Sequence, residues 1–462
     1  MAEMPARDPA GRTSLKPIRR HLVGSIVLVW FSIWLNSGTL APYASTLSTP
    51  EVGEHCGYLF NWDHAHHIAQ FRMLEGAPYE EWAFCVHLRR ILYPLFTIAF
   101  METLGFDWGA VISNFLIYAL TLLGLAYFLN KHVGRDAAKA GLWLLAAYPG
   151  VAYYGGLPYS YTLLVPGFLV GFLLLEAISR AEHWKPAMGY ALLMGIMFTG
   201  YDHYAFFIPA TGLVLLLRRK LFWIPGAVGL MALPLVIVVL ILVYGFHAEL
   251  FKVNVYADMV NAYLAGGDLQ VWAWYLKQVP MIFLDNLLFS SFLFLPLGFI
   301  ACLILNRMGP GLSFTRAETC LLIVIGLLWA FNNFAPPYDG YKGWQVRGYW
   351  IARIYQPLTA VLLVYLCRIH QASVERGGVC QRNVRIVLGI VLAGNLLTSF
   401  SGILGFRPGH MVLNMYYKHA ERSQEMLTPK RYVAYMSNRY YADNLEAHGK
   451  RPVGFCRENA SR

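Results

Sequence analysis

The chain repeats apolar runs that are each long enough to cross a membrane, and this feature constrains its fold most. A helix needs about 20 apolar residues to cross a hydrocarbon core of about 30 Å. The apolar stretch 187–217 is interrupted by the polar break 200–204 and is predicted to form two short helices. With these two, the sequence predicts about eleven transmembrane helices. The other nine runs are 21–42, 109–130, 137–155, 161–179, 222–245, 281–305, 318–334, 349–367 and 384–405.

Composition indicates the same class of protein. Of the 462 residues, 57% are hydrophobic and 14% are charged, whereas soluble proteins carry about 25% charged residues. This balance excludes a disordered chain and argues against a soluble enzyme. A net charge of +11 would suggest nucleic acid for a soluble protein, but basic residues collect at the cytoplasmic ends of membrane helices. We therefore predict an all-α integral membrane protein in contact with membrane lipids and without a nucleic-acid partner.

The distribution of basic residues predicts which side each loop faces. A twelfth apolar run, 91–105, contains Pro94 and is short for a span. If it does not cross and the N-terminus is inside, 14 lysines and arginines fall in the cytoplasmic loops 131–139, 180–186, 218–220, 306–317 and 368–385. Only 8 then fall in the longer outer loops 43–90, 246–280 and 335–353. This agrees with the positive-inside rule, so 91–105 is predicted to be an interfacial helix at the outer leaflet.

The predicted organisation follows from this topology. Residues 1–20 form a cytoplasmic tail, and residues 21–405 form one polytopic membrane domain. Its first outer loop, 43–108, carries the short interfacial helices. Residues 406–462 form a non-cytoplasmic tail.

The first outer loop contains the strongest candidate for chemistry, Asp63 in the segment Trp62-Asp63-His64. A carboxylate among aromatic residues just outside a membrane span can have its pKa tuned to act as a general base. A helix-capping role for Asp63 is the alternative. His66 and His67 are candidates to hydrogen-bond sugar hydroxyls or lipid phosphate. The spacing of Asp63 and His67 could instead place both on a divalent metal, which would need further ligands.

The other outer turns combine aromatic, acidic and basic residues. Aromatic faces stack on sugar rings, and Lys or Arg binds phosphate. An aromatic belt with snorkelling cations at the membrane surface is the alternative interpretation. Besides His66 and His67, the candidate substrate-binding residues are Arg90, Tyr159, Asp202, His203, Lys342, Arg347 and Arg353.

Several short motifs occur in an order that resembles the PIG-V-like mannosyltransferases of the GT-C glycosyltransferase superfamily. Trp62-Asp63 resembles the first-loop "WD" of that family, and Tyr93-Pro94-Leu95-Phe96 resembles its "YPLL" helix. Tyr148-Pro149-Gly150 and Tyr159-Ser160-Tyr161-Thr162 resemble its outer turn. The resemblance covers about residues 55–180. Two positions depart from it: Thr162 or Leu163 stands where an acidic residue is usual, and Tyr201-Asp202 replaces a later Arg.

The resemblance implies a GT-C-like fold and an inverting transfer of a sugar from a polyprenyl-phosphate donor, with no cofactor. Asp63 would deprotonate the acceptor hydroxyl on the non-cytoplasmic face, and Arg90, Lys342, Arg347 or Arg353 would hold the phosphate. Mannose is the sugar that the family suggests, and the acceptor would be a glycan, a lipid or a protein. The departures leave sugar and acceptor open. A bacterial inner membrane is the expected location.

Two other function classes remain open from the sequence. A transporter or flippase of lipid-linked sugars would need a polar pathway through the bilayer, and few ionisable residues lie within the predicted spans. A polyprenyl-dependent polymerase or ligase would place its chemistry in a late outer loop such as 246–280. Cys56 and Cys85, both in the first outer loop, are hypothesised to form a disulfide, with Cys456 as a competing partner.

Overall fold

The computed structural model describes most of the predicted membrane domain. The described residues are 15–36, 90–104, 106–155, 160–245, 264, 294–305, 315–334, 338–339, 343–344 and 356–400. The hypothesised Cys56–Cys85 pair, Cys456 and the tail 406–462 lie outside these ranges.

The described chain is α-helical apart from one small β-ladder. Its helices are α1 (Arg19–Asn36), α2 (Leu92–Leu104), α3 (Phe106–His132), α4 (Arg135–Ala146), α5 (Pro149–Gly155), α6 (Leu164–Ser179), α7 (Trp184–Phe198), α8 (Phe207–Leu217), α9 (Ile224–Leu240), α10 (Phe294–Leu305), α11 (Arg316–Phe334), α12 (Gln356–Arg376) and α13 (Gly378–Phe400). Short 3₁₀ segments at Lys16–Ile18, Ser160–Leu163, Asp202–Phe206 and Leu221–Trp223 precede α1, α6, α8 and α9, and a π-turn at Ile241–Gly245 follows α9. Strands β1 (Tyr338–Asp339) and β2 (Gly343–Trp344) pair antiparallel, with Tyr338 opposite Trp344.

Five helical segments of the described chain are long and apolar enough to cross a membrane. They are Lys16–Leu35, Trp108–His132, Ser160–Ser179, Leu221–Gly245 and Gly378–Phe400. The expectation of an all-α integral membrane protein is therefore confirmed. The total of eleven spans stays a prediction.

The polar break inside the apolar stretch 187–217 divides it into two helices, as predicted. α7 ends at Phe198, the 3₁₀ turn Asp202–Phe206 follows, and α8 returns from Phe207. α2, which covers the predicted interfacial segment, has 13 residues and is about 20 Å long, short of a hydrocarbon core. α2 packs along α3, and Gly109 permits this because a Cβ there would lie 2.4 Å from the Met101 Cα.

The prediction of one continuous helix over 137–155 is wrong. α4 ends at Ala146, and α5 starts at Pro149. Pro149 has no N–H with which to continue the ladder of α4, and its fixed φ suits the first position of a new helix. The Ser399 hydroxyl of α13 donates a hydrogen bond of 3.2 Å to the carbonyl oxygen of Ala147 in the gap.

The segment 368–385, predicted as a loop between two spans, is largely helical. α12 is described from Gln356, and it continues to Arg376, beyond the predicted end of the span at 367. α13 starts two residues later, at Gly378. The turn needs Gly377 and Gly378, whose φ angles are +69° and +58°. The high polarity of 368–385 indicated a loop, but a helix that leaves the bilayer can remain helical with polar side chains.

The core lies around α6, which packs against α3, α7, α8, α11 and α12. Of the apolar window in the Ser160–Ser179 span, 82% is buried, whereas 17% is buried in the Leu221–Gly245 span of α9. α6 is therefore enclosed by protein, and α9 presents most of its surface outward. α9 is held chiefly by α7, with which it crosses closely at Gly195.

Several basic turns meet at one end of the bundle, which we call the basic end. The Lys220 ammonium in the α8–α9 turn donates to the carbonyl oxygen of Ala181 in the α6–α7 turn. Gln371 of α12 accepts a 3.2 Å hydrogen bond from the Ala137 amide at the start of α4. Arg368 of α12 forms an ion pair with the buried Glu318 at the start of α11. The loops that the sequence assigned to one side of the membrane are thus neighbours in space.

Candidate functional site

The opposite end of the bundle brings together two of the predicted substrate-binding residues, Arg90 and His203. Asp202 lies beside His203, and its backbone opens the 3₁₀ turn Asp202–Phe206. The remaining site candidates lie outside the described residues, so their predicted roles stay predictions: Asp63, His66, His67, Tyr159, Lys342, Arg347 and Arg353.

Arg90 is a buried cation at the entrance to α2. Only 5% of its surface is exposed, and its guanidinium carbon lies 4.1 Å from the centre of the Tyr201 ring. A cation over an aromatic face is stabilised by the negative face of the ring, and the effect grows when water is excluded. The backbone reinforces this placement, since the Leu92 amide donates a 3.2 Å hydrogen bond to the Thr199 carbonyl oxygen. The start of α2 is thereby attached to the end of α7.

The turn between α7 and α8 presents Tyr201 to Arg90. Tyr201 is extended, with φ −163° and ψ 142°, and it precedes the 3₁₀ turn. Its ring stacks on the His203 imidazole, with centroids 4.7 Å apart and planes 25° apart. The hydroxyl of Tyr204 donates to the Leu163 carbonyl oxygen and fixes this turn against the start of α6.

Two more tyrosines extend the aromatic contacts toward α5. The Tyr161 ring lies 4.9 Å from the Tyr201 ring, and Tyr154 lies 5.8 Å from Tyr161. All three tyrosines are buried, with 3% to 4% of their surface exposed. Arg90, Tyr201, His203, Tyr161 and Tyr154 form what we call the Arg90 cluster.

Sequence reasoning did not single out Tyr154, Tyr161 or Tyr201 as site residues. The sequence offered one signal for a site role: each of these tyrosines stands in or beside a polar or glycine-rich break between apolar runs. Tyrosine is so common at membrane surfaces that the signal could not distinguish a belt residue from a ring beneath an arginine. The contact itself depends on how α2, α6 and α7 pack.

The Arg90 cluster has the chemistry of an anion site. A guanidinium is charged at every physiological pH and offers planar, paired N–H donors that match phosphate. The imidazole of His203 can donate or accept a proton in a hydrogen bond, depending on its tautomer. Within the described ranges there is no group of three His, Cys, Asp or Glu side chains placed to bind a metal. The alternative metal pair, Asp63 and His67, lies outside those ranges.

Comparison with known proteins finds similarity to a solved structure, and this similarity is limited. No protein family model matches the sequence, and no curated protein does so. The cryo-EM structure of the arabinosyltransferase EmbB from Mycobacterium smegmatis aligns with a TM-score of 0.45 and 12% sequence identity. The alignment covers 100% of this chain, which spans 44% of the length of EmbB. At this level of similarity, neither the fold nor the activity of EmbB is transferred to this chain.

Proposed function

We propose that the chain is an inverting membrane glycosyltransferase of the GT-C type, which uses a polyprenyl-phosphate-linked sugar on the non-cytoplasmic face. The observation that carries the proposal is the Arg90 guanidinium, buried over Tyr201 beside His203. It lies at the end of the bundle opposite the basic turns. A desolvated cation at that end is suited to the phosphate of a lipid whose tail lies in the membrane.

The reaction requires a base that takes the acceptor proton and a cation that pairs with the phosphate, and the chain has a candidate for each. The acceptor hydroxyl gives its proton to Asp63 as its oxygen attacks the anomeric carbon. The bond from that carbon to the phosphate oxygen breaks, and the electron pair stays on the polyprenyl phosphate. Arg90 would pair with the phosphate in the bound donor and in the departing polyprenyl phosphate alike, so the leaving group needs no general acid. Attack opposite to the leaving group inverts the anomeric centre.

The remaining specifics extend the same proposal. The sugar would be mannose, and the acceptor a glycan, a lipid or a protein in a bacterial inner membrane. His66, His67, Tyr159, Asp202, His203, Lys342, Arg347 and Arg353 would contact donor or acceptor. No cofactor is needed in this scheme, since Arg90 offsets the phosphate charge; a divalent metal on Asp63 and His67 is the alternative.

The placement of buried charge favours an enzyme over a flippase. Among the described side chains, the buried charged ones are Arg90 and Glu318, and both lie at helix ends. A pathway for a sugar headgroup through the membrane would require polar or charged groups at mid-depth. The described part of the chain offers its charge at the surfaces instead.

The test is sugar transfer by the purified protein in liposomes supplied with polyprenyl-phosphate-mannose and with other polyprenyl-linked sugars. Asp63→Asn keeps the shape but cannot accept a proton, so transfer should fall about 10²- to 10⁴-fold. Arg90→Gln should raise the donor KM about 10- to 100-fold, since a charge-assisted hydrogen bond contributes about 1.5–3 kcal/mol. Arg382→Gln, at an exposed arginine of the basic end, is the matched control and should transfer as the wild type does.

The outcomes separate the function classes. Reduced transfer by Asp63→Asn and a raised donor KM of Arg90→Gln, with normal expression and detergent stability in both, support the proposal. An Asp63→Asn protein that keeps more than about a tenth of wild-type transfer contradicts the general-base role. Movement of lipid-linked sugar across the liposome membrane without transfer would support the flippase instead.

A further inference from the structure

We infer that Tyr93 and Asn114 are positioning residues, which hold Arg90 on Tyr201 through a closed ring of contacts. The expected effect on sugar transfer rests on the proposed function. The ring of contacts itself rests only on the described side chains. Neither residue belongs to the substrate-binding candidates, and neither carries a charge that could pair with a phosphate.

The first half of the ring joins three helices by buried hydrogen bonds. Tyr93, in the first turn of α2, donates from its hydroxyl to Asn114 Oδ1 of α3 at 3.0 Å. Asn114 Nδ2 donates in turn to the carbonyl oxygen of Gly155, the last residue of α5, at 2.8 Å. Tyr93 and Asn114 are both fully buried. A buried amide that bridges two partners is costly to disturb, because water cannot replace either bond.

The second half of the ring returns from α5 to Arg90. Gly155 follows Tyr154, whose carbonyl oxygen accepts a 2.9 Å hydrogen bond from the hydroxyl of Thr162. Aromatic contacts then lead from the Tyr154 side chain to Tyr161 and on to Tyr201, which lies beneath the Arg90 guanidinium. Each contact in this closed ring of contacts is buried, so water does not compete for it.

The ring closes because Arg90 stands three positions before Tyr93. The backbone bond from the Leu92 amide to the Thr199 oxygen lies between them. Arg90 is therefore held from two sides: by its own stacking on Tyr201, and by the Tyr93 anchor that fixes the start of α2. Loss of the Tyr93 hydroxyl removes the hydrogen bond to Asn114 and with it the second support. We expect the start of α2 to move and the Arg90 guanidinium to leave its position over the Tyr201 side chain.

The experiment compares Tyr93→Phe with Tyr190→Phe as a matched control. Tyr190, in α7, is also buried, and its hydroxyl donates to the Gly171 oxygen, away from the Arg90 cluster. Tyr93→Phe should raise the donor KM about tenfold with little change in kcat, as expected when binding is weakened equally in ground and transition states. Amide hydrogen exchange in the peptide around Leu92 should become about tenfold faster. Tyr190→Phe should alter neither.

A second background distinguishes positioning from a general structural role. If Tyr93 acts through Arg90, adding Tyr93→Phe to Arg90→Gln should change the KM less than about twofold. An effect as large as in the wild-type background would overturn the inference. Exchange around Leu92 that stays at the wild-type rate in Tyr93→Phe would overturn it as well.

Failure of the proposed function is recognised separately. If the wild type transfers no sugar, the proposed function fails, and hydrogen exchange around Leu92 alone decides whether the ring holds the start of α2. If Tyr93→Phe does not fold, Thr162→Val tests the ring at its other half, with Thr121→Val as control. The Thr121 hydroxyl bonds within α3, to the Ile117 oxygen. Equal exchange around Leu92 in these two threonine variants would overturn the inference.

Discussion

At the residue scale, the sequence identified charged and polar members of the candidate site and missed the aromatic ones. Arg90 and His203 were predicted because cations and histidines at an outer surface are chemically conspicuous. Tyr201, which contacts both, was not predicted, since tyrosines at membrane surfaces usually have an anchoring role. Asp63 stays a prediction, because it lies outside the described residues.

The face of Tyr201, rather than its hydroxyl, should determine how well Arg90 holds a phosphate. Tyr201→Phe keeps a ring beneath the guanidinium, whereas Tyr201→Leu removes the cation–π contact, worth about 2 kcal/mol when water is excluded. We expect Tyr201→Leu to weaken binding of a polyprenyl monophosphate about 10- to 30-fold and Tyr201→Phe to weaken it less than about threefold. Titration of the reconstituted variants with that lipid gives the two Kd values. Equal losses in both variants would contradict the role of the ring.

His370 should make the basic end sensitive to mild acid. Burial is the main cause that lowers the pKa of its imidazole below the ordinary value of 6.5. Asp136 opposes this shift, and Arg385 and Lys139 add to it. Because the folded protein disfavours the imidazolium, the unfolded chain binds more protons between the lowered pKa and 6.5. The stability that neutral His370 contributes is complete above about pH 6.5 and is lost as the pH falls to the lowered pKa.

His370→Gln should therefore reduce the fall in Tm between about pH 7.5 and about pH 5, because glutamine has no proton to gain. Each pKa unit of lowering corresponds to about 1.4 kcal/mol. Thermal unfolding in detergent across this range is the measurement. His183→Gln, at an exposed histidine of the same end, is the control and should follow the wild-type curve. A His370→Gln curve parallel to the wild type would refute the assignment.

At the element scale, apolar length predicted where helices exist, and local backbone chemistry decided where they break. The division of 187–217 was predictable from its polar residues. The break at Pro149 was not predicted, since the surrounding run is apolar enough to read as one span. The extension of α12 to Arg376 was hidden by its charged residues, and only the glycine pair Gly377-Gly378 marks the true turn.

The crossing of α7 and α9 should depend on Gly195. A Cβ at this position would lie 2.7 Å from the carbonyl oxygens of Leu230 and Met231. These are backbone atoms, so the two helices would have to separate, and we expect Gly195→Ala to cost about 1–3 kcal/mol. A Cβ added at Gly189, on the same helix, would meet no atom within 4 Å, so Gly189→Ala should gain up to about 1 kcal/mol from helix propensity.

Thermal unfolding in detergent compares the two alanine variants directly. Gly195→Ala should have the lower Tm and Gly189→Ala a Tm at or above that of the wild type. A Gly195→Ala protein as stable as Gly189→Ala would show that α9 is not held by this close approach.

At the scale of the whole molecule, the distribution of basic residues predicted which loops share a side of the membrane, and the packing of the helices brings these loops together. The basic loops were grouped from the sequence by membrane side, and the structure joins four of their turns through Lys220, Gln371 and neighbouring contacts. What the sequence could not provide is the pairing of helices across the bundle. The Arg90 cluster arises from such pairing, since Arg90, Tyr161 and Tyr201 come from three separate parts of the chain.

The two ends of the bundle should face opposite sides of the membrane, with the proposed site outside. We expect single cysteines at Asp63 and Asp339, in a background lacking the seven natural cysteines, to react with a membrane-impermeant maleimide added to intact cells. A cysteine at Arg382, an exposed position of the basic end, should react only after the membrane is opened. The reason is the excess of basic residues at that end, which resists transfer across the bilayer. Labelling of the cysteines at positions 63 and 339 from opposite sides would rule out the predicted topology. Labelling of the cysteine at position 382 from outside would place the proposed site in the cytoplasm.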